Sequence, residues 1–219
     1  MSKTDIQLKQ DIIDELQLDP QVNAAQIGVS VKDGAVTLLG TVDSYAEKCA
    51  AETATKRVHG ARTIAQDLTV MVRTDHAPND SEIAAAIQNA LDWNVYIPKT
   101  VSVKVEKGSV TLEGKVDWNY QRVSSERAVQ YLPGVVSVLN MITLNPQPSV
   151  THVKEAVEAA LRRQAAEDAK SIHVETSGGI VTLTGHASSW QAISDAVNAA
   201  WAIPGVTEVL DHVVLSTTN

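Results

Sequence analysis

The sequence is poor in cysteine and aromatic residues, and it has no long apolar segment. It contains one cysteine, Cys49, and no phenylalanine among its 219 residues. A single cysteine excludes an internal disulfide and is typical of a reducing compartment. No stretch approaches the ~20 apolar residues of a membrane span. The polar start MSKTDIQLKQDIIDEL also lacks the apolar core of a secretory signal. These absences predict a cytoplasmic chain without a transmembrane segment.

The sequence also lacks an excess of positive charge. Its net charge is −8 and its isoelectric point is about 5.2. Binding to a nucleic-acid backbone requires a basic face, so we do not expect this chain to bind nucleic acid. Attraction to anionic lipids also needs clustered lysine and arginine. The basic pairs at 56–57 and 162–163 are interpreted as solvated helix surface.

Catalytic patterns are scarce as well. The six histidines do not recur at equivalent places, and neither a Cys-x-x-Cys nor a His-Glu-x-x-His spacing occurs. Ser109 and Thr111 have no histidine or lysine base at a defined spacing, so the sequence does not indicate a nucleophile. We therefore expect a protein that is not an enzyme and that has no cofactor.

What the chain does have is a short segment written three times. GAVTLLG stands at 34–40, GSVTLEG at 108–114 and GIVTLTG at 179–185. Glycines open and close each copy, and a further glycine follows 20 residues after the closing one. The opening glycines are Gly34, Gly108 and Gly179. The closing glycines are Gly40, Gly114 and Gly185, and the third glycines are Gly60, Gly134 and Gly205. A period of 71 to 74 residues suits a small domain that closes its own core. The sequence predicts three modules, 1–74, 79–145 and 149–217, joined by Pro/Asn/Asp-rich linkers at 73–80 and 145–149.

Hydrophobic periodicity predicts the order αββαβ in every module. The first helices carry apolar stripes, which comprise Ile6, Leu8, Ile12, Ile13 and Leu16, then Ile83, Ala84, Ile87 and Leu91, then Val153, Val157, Ala160 and Leu161. In VSVKVEKG, the alternation of Val101, Val103 and Val105 with polar residues indicates a strand with one buried side. We expect an α+β fold: three tandem sandwiches, each a three-stranded mixed sheet with two helices on one face.

Turn and cap residues place the ends of these elements. Predicted N-caps of the first helices are Thr4 or Asp5, Asp80 or Ser81, and Ser149 or Thr151, and those of the second helices are Asp43, Asp117 and Ser188. The opening glycine is expected to make a hairpin turn, and the closing glycine to end the strand. The third glycine is expected to end the second helix in the left-handed conformation.

Tryptophan and tyrosine cluster in the second and third modules. Trp93 and Tyr96 fall between the first helix and the first strand of the second module, and Trp118 and Tyr120 fall where its second helix begins. Amphipathic rings at such places are typical of contacts with a lipid interface or a protein. The alternative is that they cap a small core or fill the contact between modules.

Histidines distinguish the third module. His173 and His186 are expected on the open sheet face beside Glu175, with His212 on the neighbouring last strand. A metal or anion site is a weak hypothesis here, because exposed histidines on a sheet face are usually only surface.

The segments KGSVTLEGKV and LPGVVSV complete a pattern that resembles the BON domain, named for bacterial osmotically induced and nodulation proteins. The first copy departs from it with VHGARTI, and the third has ASS after its closing glycine. The resemblance implies a binding module without shared catalytic residues. Such domains are described as phospholipid- or membrane-associating and occur in stress proteins, secretins and channels, and one cytoplasmic relative is linked to potassium.

Two function classes follow from the resemblance. The chain is expected to be a binding or adaptor protein, related to osmotic stress, that contacts phospholipid, a membrane surface or a protein partner through its second module. The alternative is a cytoplasmic protein that responds to potassium or serves as an interaction scaffold.

Overall fold

The computed structural model describes residues 3–72, 77–145, 153–164 and 171–216, which form three modules of one element order. The first comprises α1 (Asp5–Leu18), a 3-10 helix (Ala24–Gln26), β1 (Ile27–Lys32), β2 (Ala35–Val42), α2 (Tyr45–Arg57) and β3 (Thr63–Val70). The second comprises α3 (Asp80–Trp93), β4 (Ser102–Glu106), β5 (Ser109–Val116), α4 (Asn119–Gln130) and β6 (Ser137–Leu144). The third comprises α5 (Val153–Gln164), β7 (Ile172–Ser177), β8 (Ile180–Ala187), α6 (Trp190–Trp201) and β9 (Glu208–Leu215).

Each module has its own three-stranded sheet, in which the second strand lies in the centre. β2 pairs antiparallel with β1 and parallel with β3, and β8 pairs in the same two ways with β7 and β9. The parallel pair needs a crossover, which the second helix of the module supplies. The predicted α+β fold of three tandem αββαβ modules is confirmed.

The apolar stripes of the first helices form one side of each core. α1 buries Leu8, Ile12 and Leu16, and α3 and α5 bury the equivalent residues. The central strands supply the other side, since Val36, Leu38, Val110, Leu112, Val181 and Leu183 are all buried. Ile6 was expected on the stripe of α1, but it is exposed because its position turns away from the sheet.

Three helices begin one residue away from the predicted cap. Thr4 caps α1 as expected, whereas Asn79 caps α3, and Ser44 and Ser189 cap α2 and α6. Two of the predicted caps have other partners: the Asp80 carboxylate accepts hydrogen bonds from the backbone N–H groups of Lys107 and Gly108, and the Asp117 carboxylate accepts one from the Asn145 side chain. The candidates Ser149 and Thr151 lie outside the described residues.

The opening and third glycines of a module lie against each other. A Cβ on Gly108 would come within 2.6 Å of the Gly134 carbonyl oxygen, and one on Gly179 within 2.7 Å of the Gly205 carbonyl oxygen. Gly60, Gly134 and Gly205 have positive φ as expected, but each lies three or four residues beyond the helix end. They therefore shape the turn into the last strand and do not cap the helix.

The closing glycines lie inside their strands and not at the strand ends, which corrects the expectation for Gly40, Gly114 and Gly185. β2, β5 and β8 each continue for two residues beyond them. A Cβ at Gly114 would lie 2.3 Å from the Thr100 carbonyl oxygen, just before β4. Glycine is needed here because the neighbouring chain approaches closely and because φ is +139°.

Two aspartates tie the first helix of a module to its hairpin turn. The Asp5 carboxylate accepts hydrogen bonds from the backbone N–H groups of Asp33 (2.7 Å) and Gly34 (3.0 Å). Asp80 accepts the equivalent bonds from Lys107 (2.7 Å) and Gly108 (2.9 Å). We call this arrangement the aspartate clasp. It fixes the helix against the sheet in the first and second modules.

Candidate functional site

The second module exposes large side chains where α3 ends. Trp93 is the last residue of the helix and is 87% exposed, and Val95 and Tyr96 of the following loop are 90% and 60% exposed. Isolated exposed apolar residues are ordinary, but several large ones within four positions form a patch that needs an explanation. None of these three side chains belongs to the buried core of the module.

The loop that carries them is held by a series of local hydrogen bonds. The Asn94 side chain accepts a bond from the Tyr96 backbone N–H at 3.0 Å, and the Ile97 backbone N–H donates to the Asn94 carbonyl at 3.0 Å. Asparagine commonly stabilises turns in this way. Further along, the Thr100 hydroxyl donates to the Lys115 carbonyl at 2.6 Å. The loop therefore presents its aromatic side chains from a defined backbone.

The start of α4 contributes a second exposed tyrosine. Tyr120 is 53% exposed, and its ring lies 6.0 Å from that of Tyr96, centroid to centroid, at an interplanar angle of 89°. Edge-to-face contact of this kind is a favoured aromatic arrangement. We call Trp93, Val95, Tyr96 and Tyr120 the aromatic surface. The structure thus brings together two of the segments that the sequence singled out.

Trp118, the fourth predicted contact residue, is more covered. It is 41% exposed, less than half the exposed fraction of Trp93, and it takes part in a further interaction. We therefore do not include it in the aromatic surface.

Charged residues that flank the aromatic surface in the sequence are equal in number of each sign. The segment 92–99 contains Asp92 and Lys99, and the segment 115–120 contains Lys115 and Asp117. All four residues are exposed, and two positive charges offset two negative ones. Attraction to an anionic surface would need an excess of cations, so this region is suited to apolar and not electrostatic contact.

The histidines of the third module share a face but do not converge. His173, His186 and His212 are exposed, and the strand register places Thr184 between His173 and His212. Two strands that flank a third lie roughly 10 Å apart. Within the described ranges, no group of three histidine, cysteine or acidic side chains could hold a metal ion. The described residues of this sheet therefore do not provide the ligands that the predicted metal site would need.

Tyr45 makes a contact between the first and second modules that the sequence did not reveal. The backbone of Val138 on β6 hydrogen-bonds the tyrosine hydroxyl, and Glu126 of α4 lies near. Burial raises the pKa of Tyr45 to about 12, and the Cys49 thiol and the Glu126 carboxylate add to this effect. Burial also raises the pKa of the Cys49 thiol, so it stays protonated at neutral pH. The two modules form one compact unit, Met1–Val116 with Tyr120–Thr143.

Searches for relatives found two bacterial proteins with partial coverage. The chain is 30% identical over 150 residues to osmotically-inducible protein Y of Escherichia coli K12, which covers 60% of this chain and 70% of that protein. It is 29% identical over 124 residues to an uncharacterized protein in the gshII 5'region of Anaplasma centrale, which covers 53% of this chain and 82% of that protein.

Solved structures offer only distant likeness. CdsD, a structural protein of the type III secretion system of Chlamydia trachomatis, is 16% identical with a TM-score of 0.25, over 95% of this chain and 92% of that chain. The periplasmic domain of PrgH from S. typhimurium is 15% identical with a TM-score of 0.22, over 92% and 98%. Scores this low do not establish a shared overall arrangement.

The family comparison covers nearly the whole chain. The BON domain profile matches three times, at residues 4–71, 79–146 and 149–217. Each match takes in one αββαβ module, with one glycine from each of the three sets. The chain therefore belongs to the BON domain family and carries three copies of the domain in tandem.

Proposed function

We propose that this chain is a non-catalytic membrane-associated protein that inserts the aromatic surface of its second module into the lipid interface. The observation that carries the proposal is the exposure of Trp93, Val95 and Tyr96, at 87%, 90% and 60%. Tryptophan and tyrosine are enriched at membrane interfaces because their rings are apolar and their N–H or O–H groups remain hydrated. The similarity to osmotically-inducible protein Y of E. coli supports a role in osmotic stress.

The size of the aromatic surface predicts weak, reversible binding. Partial insertion of four such side chains removes on the order of 300 Å² of apolar area from water, which is worth roughly 7 kcal/mol. Loss of translational and rotational freedom costs a comparable amount. No helix in the described part of the chain is long and apolar enough to cross a bilayer. The proposal is therefore peripheral attachment.

Vesicle co-sedimentation tests this function. The balanced charges predict similar binding to phosphatidylcholine vesicles and to vesicles that also contain phosphatidylglycerol, with little change on addition of salt. The double variant Trp93→Ala/Tyr96→Ala should lower the bound fraction about tenfold or more. Tryptophan emission of the wild-type protein should shift to shorter wavelength when vesicles are added.

The matched control is Tyr131→Ala. Tyr131 is 65% exposed in the same module but lies outside the aromatic surface, beyond the end of α4. Its replacement should leave the bound fraction unchanged. Failure of the wild-type protein to bind either vesicle, or an equal loss in both variants, would remove the proposal.

Two expectations from the sequence stay predictions. One is the cytoplasmic location, and the other is the alternative that the protein responds to potassium. Thermal unfolding in potassium chloride and in sodium chloride of equal ionic strength tests the response to potassium, because an ion that binds only the folded state must raise the melting temperature. Identical curves would exclude it.

A further inference from the structure

A groove lies between the first helix and the outer strand of the third module. It encloses about 350 Å³ and is lined by Lys154, Glu158, Leu161 and Arg162 of α5 and by residues 172–175 of β7. Leu161 is buried and forms its apolar floor, together with Ile172 and Val174. A groove bounded by a helix and the free edge of a sheet is the kind of site that accepts an added strand.

The edge of β7 offers unpaired backbone groups to this groove. The sheet order is β7-β8-β9, so no strand of the described chain pairs with the outer side of β7. The His186 N–H donates to the Ser171 carbonyl at 3.1 Å. In an antiparallel pair, hydrogen-bonded positions alternate, so residues 171, 173, 175 and 177 bond to β8. The N–H and C=O groups of Ile172, Val174 and Thr176 therefore point outward.

The helix side of the groove carries more positive than negative charge. Lys154 and Arg162 lie one turn on either side of Glu158, with nitrogen to oxygen distances of 4.0 and 3.9 Å. These distances are at the outer limit of an ion pair, and both cations are largely exposed, so each retains most of its capacity to bind an anion. Two cations thus share one carboxylate.

The strand side has a different character. Side chains alternate along β7, so Ile172 and Val174 point toward α5, whereas His173 and Glu175 point to the open face of the sheet. An added strand would present alternate side chains to the same two sides. Those on the helix side would meet Lys154 and Arg162, and those on the open side would meet one histidine and one carboxylate.

We propose that this groove binds an extended peptide segment as a fourth strand on β7, with acidic side chains at the alternate positions that face Lys154 and Arg162. The backbone of Ile172, Val174 and Thr176 supplies the hydrogen bonds, and the charge of α5 selects the side chains. Six residues suffice, which is the length of β7. The site shares no residue with the aromatic surface, so peptide binding and membrane binding are separable.

Fluorescence polarisation with the full chain tests the proposal. The probe is a fluorescein-labelled hexapeptide that alternates glutamate and valine, compared with one that alternates lysine and valine. The acidic peptide should bind at least about tenfold more tightly. Hydrogen exchange measured by NMR should show new protection at the amides of Ile172, Val174 and Thr176 when the acidic peptide is present.

Variants of one position separate backbone from side-chain effects. Thr176→Pro removes an outward N–H while leaving the ladder to β8 intact, and proline is tolerated at such edge positions. Thr176→Val keeps the N–H. Peptide binding should weaken about fivefold or more in the proline variant and remain unchanged in the valine variant.

Charge reversal tests the selection by α5. Lys154→Glu/Arg162→Glu should weaken binding of the acidic peptide about tenfold, whereas Lys104→Glu/Arg127→Glu, at two exposed residues of the second module, makes the same change in net charge and should leave binding unchanged. Three outcomes would overturn the proposal: equal affinity for the acidic and basic peptides, no new protection along β7, or equal affinity of the proline and valine variants. If circular dichroism shows that a variant is unfolded, the hydrogen exchange of the wild-type protein decides in its place.

Discussion

The second and third modules have the same fold but use their aromatic residues in opposite ways. In the second, Trp93, Tyr96 and Tyr120 are exposed at one loop and one helix start. In the third, Trp190 and Trp201, the first and last residues of α6, pack against the core. Aromatic residues therefore complete the core of the third module, whereas those of the second module face solvent.

The hairpin turns of the two modules differ as well. In the second, the aspartate clasp holds Lys107 and Gly108, and both have positive φ. In the third, the turn is Gly178 and Gly179, of which only Gly178 has positive φ. The left-handed Lys107 of the second turn is thus matched by a glycine, Gly178, in the third.

The largest expected effect concerns a glycine that both modules need. Gly114→Ala would place a Cβ 2.3 Å from the Thr100 carbonyl oxygen, and Gly185→Ala would place one 2.0 Å from the Ser171 carbonyl oxygen. Each should lower the free energy of unfolding by about 3 kcal/mol or more, because the strained φ adds to the clash. Urea denaturation followed by circular dichroism measures this.

The control for those variants lies in the turn of the third module. A Cβ at Gly178 would meet no atom within 4 Å, although φ is +61°. Gly178→Ala should therefore cost only about 1 kcal/mol, the ordinary cost of the left-handed conformation. Equal costs at Gly114 and Gly178 would show that close approach of the strand is not what requires glycine.

The aspartate clasp is expected to have an intermediate effect. Asp80→Ala leaves two backbone N–H groups of the turn without their acceptor and should cost about 2 kcal/mol. Asp80→Asn retains one acceptor oxygen and should cost about half as much. Asp92→Ala, at the exposed other end of α3, is the control and should stay within about 0.5 kcal/mol. If Asp80→Ala and Asp92→Ala cost the same, the clasp does not stabilise the module.

The fold was predictable because the repeated pattern of glycines and buried residues is local. The alternation of apolar and polar residues in VSVKVEKG belongs to one strand, and the stripe of Ile83, Ile87 and Leu91 belongs to one helix. The clasp of Asp80, the Tyr45 contact with Val138 and the pairing of Tyr96 with Tyr120 join residues distant in sequence. The hydrophobic periodicity of a single element gives no information about contacts between residues that are distant in sequence. The same reason explains why Gly114 appeared to end a strand that continues past it.

Trp93, which is exposed at the end of α3, is expected to contribute least to the free energy of unfolding. Trp93→Ala should change the free energy of unfolding by less than about 0.5 kcal/mol, because the side chain is 87% exposed. Trp190→Ala should cost several times more, because Trp190 packs on the core of the third module. Iodide quenching of single-tryptophan variants gives an independent readout, with Trp93 quenched far more strongly than Trp190. A large loss of stability on Trp93→Ala would mean that this tryptophan supports the fold. A negligible loss, together with the loss of vesicle binding, would mean that it serves a partner.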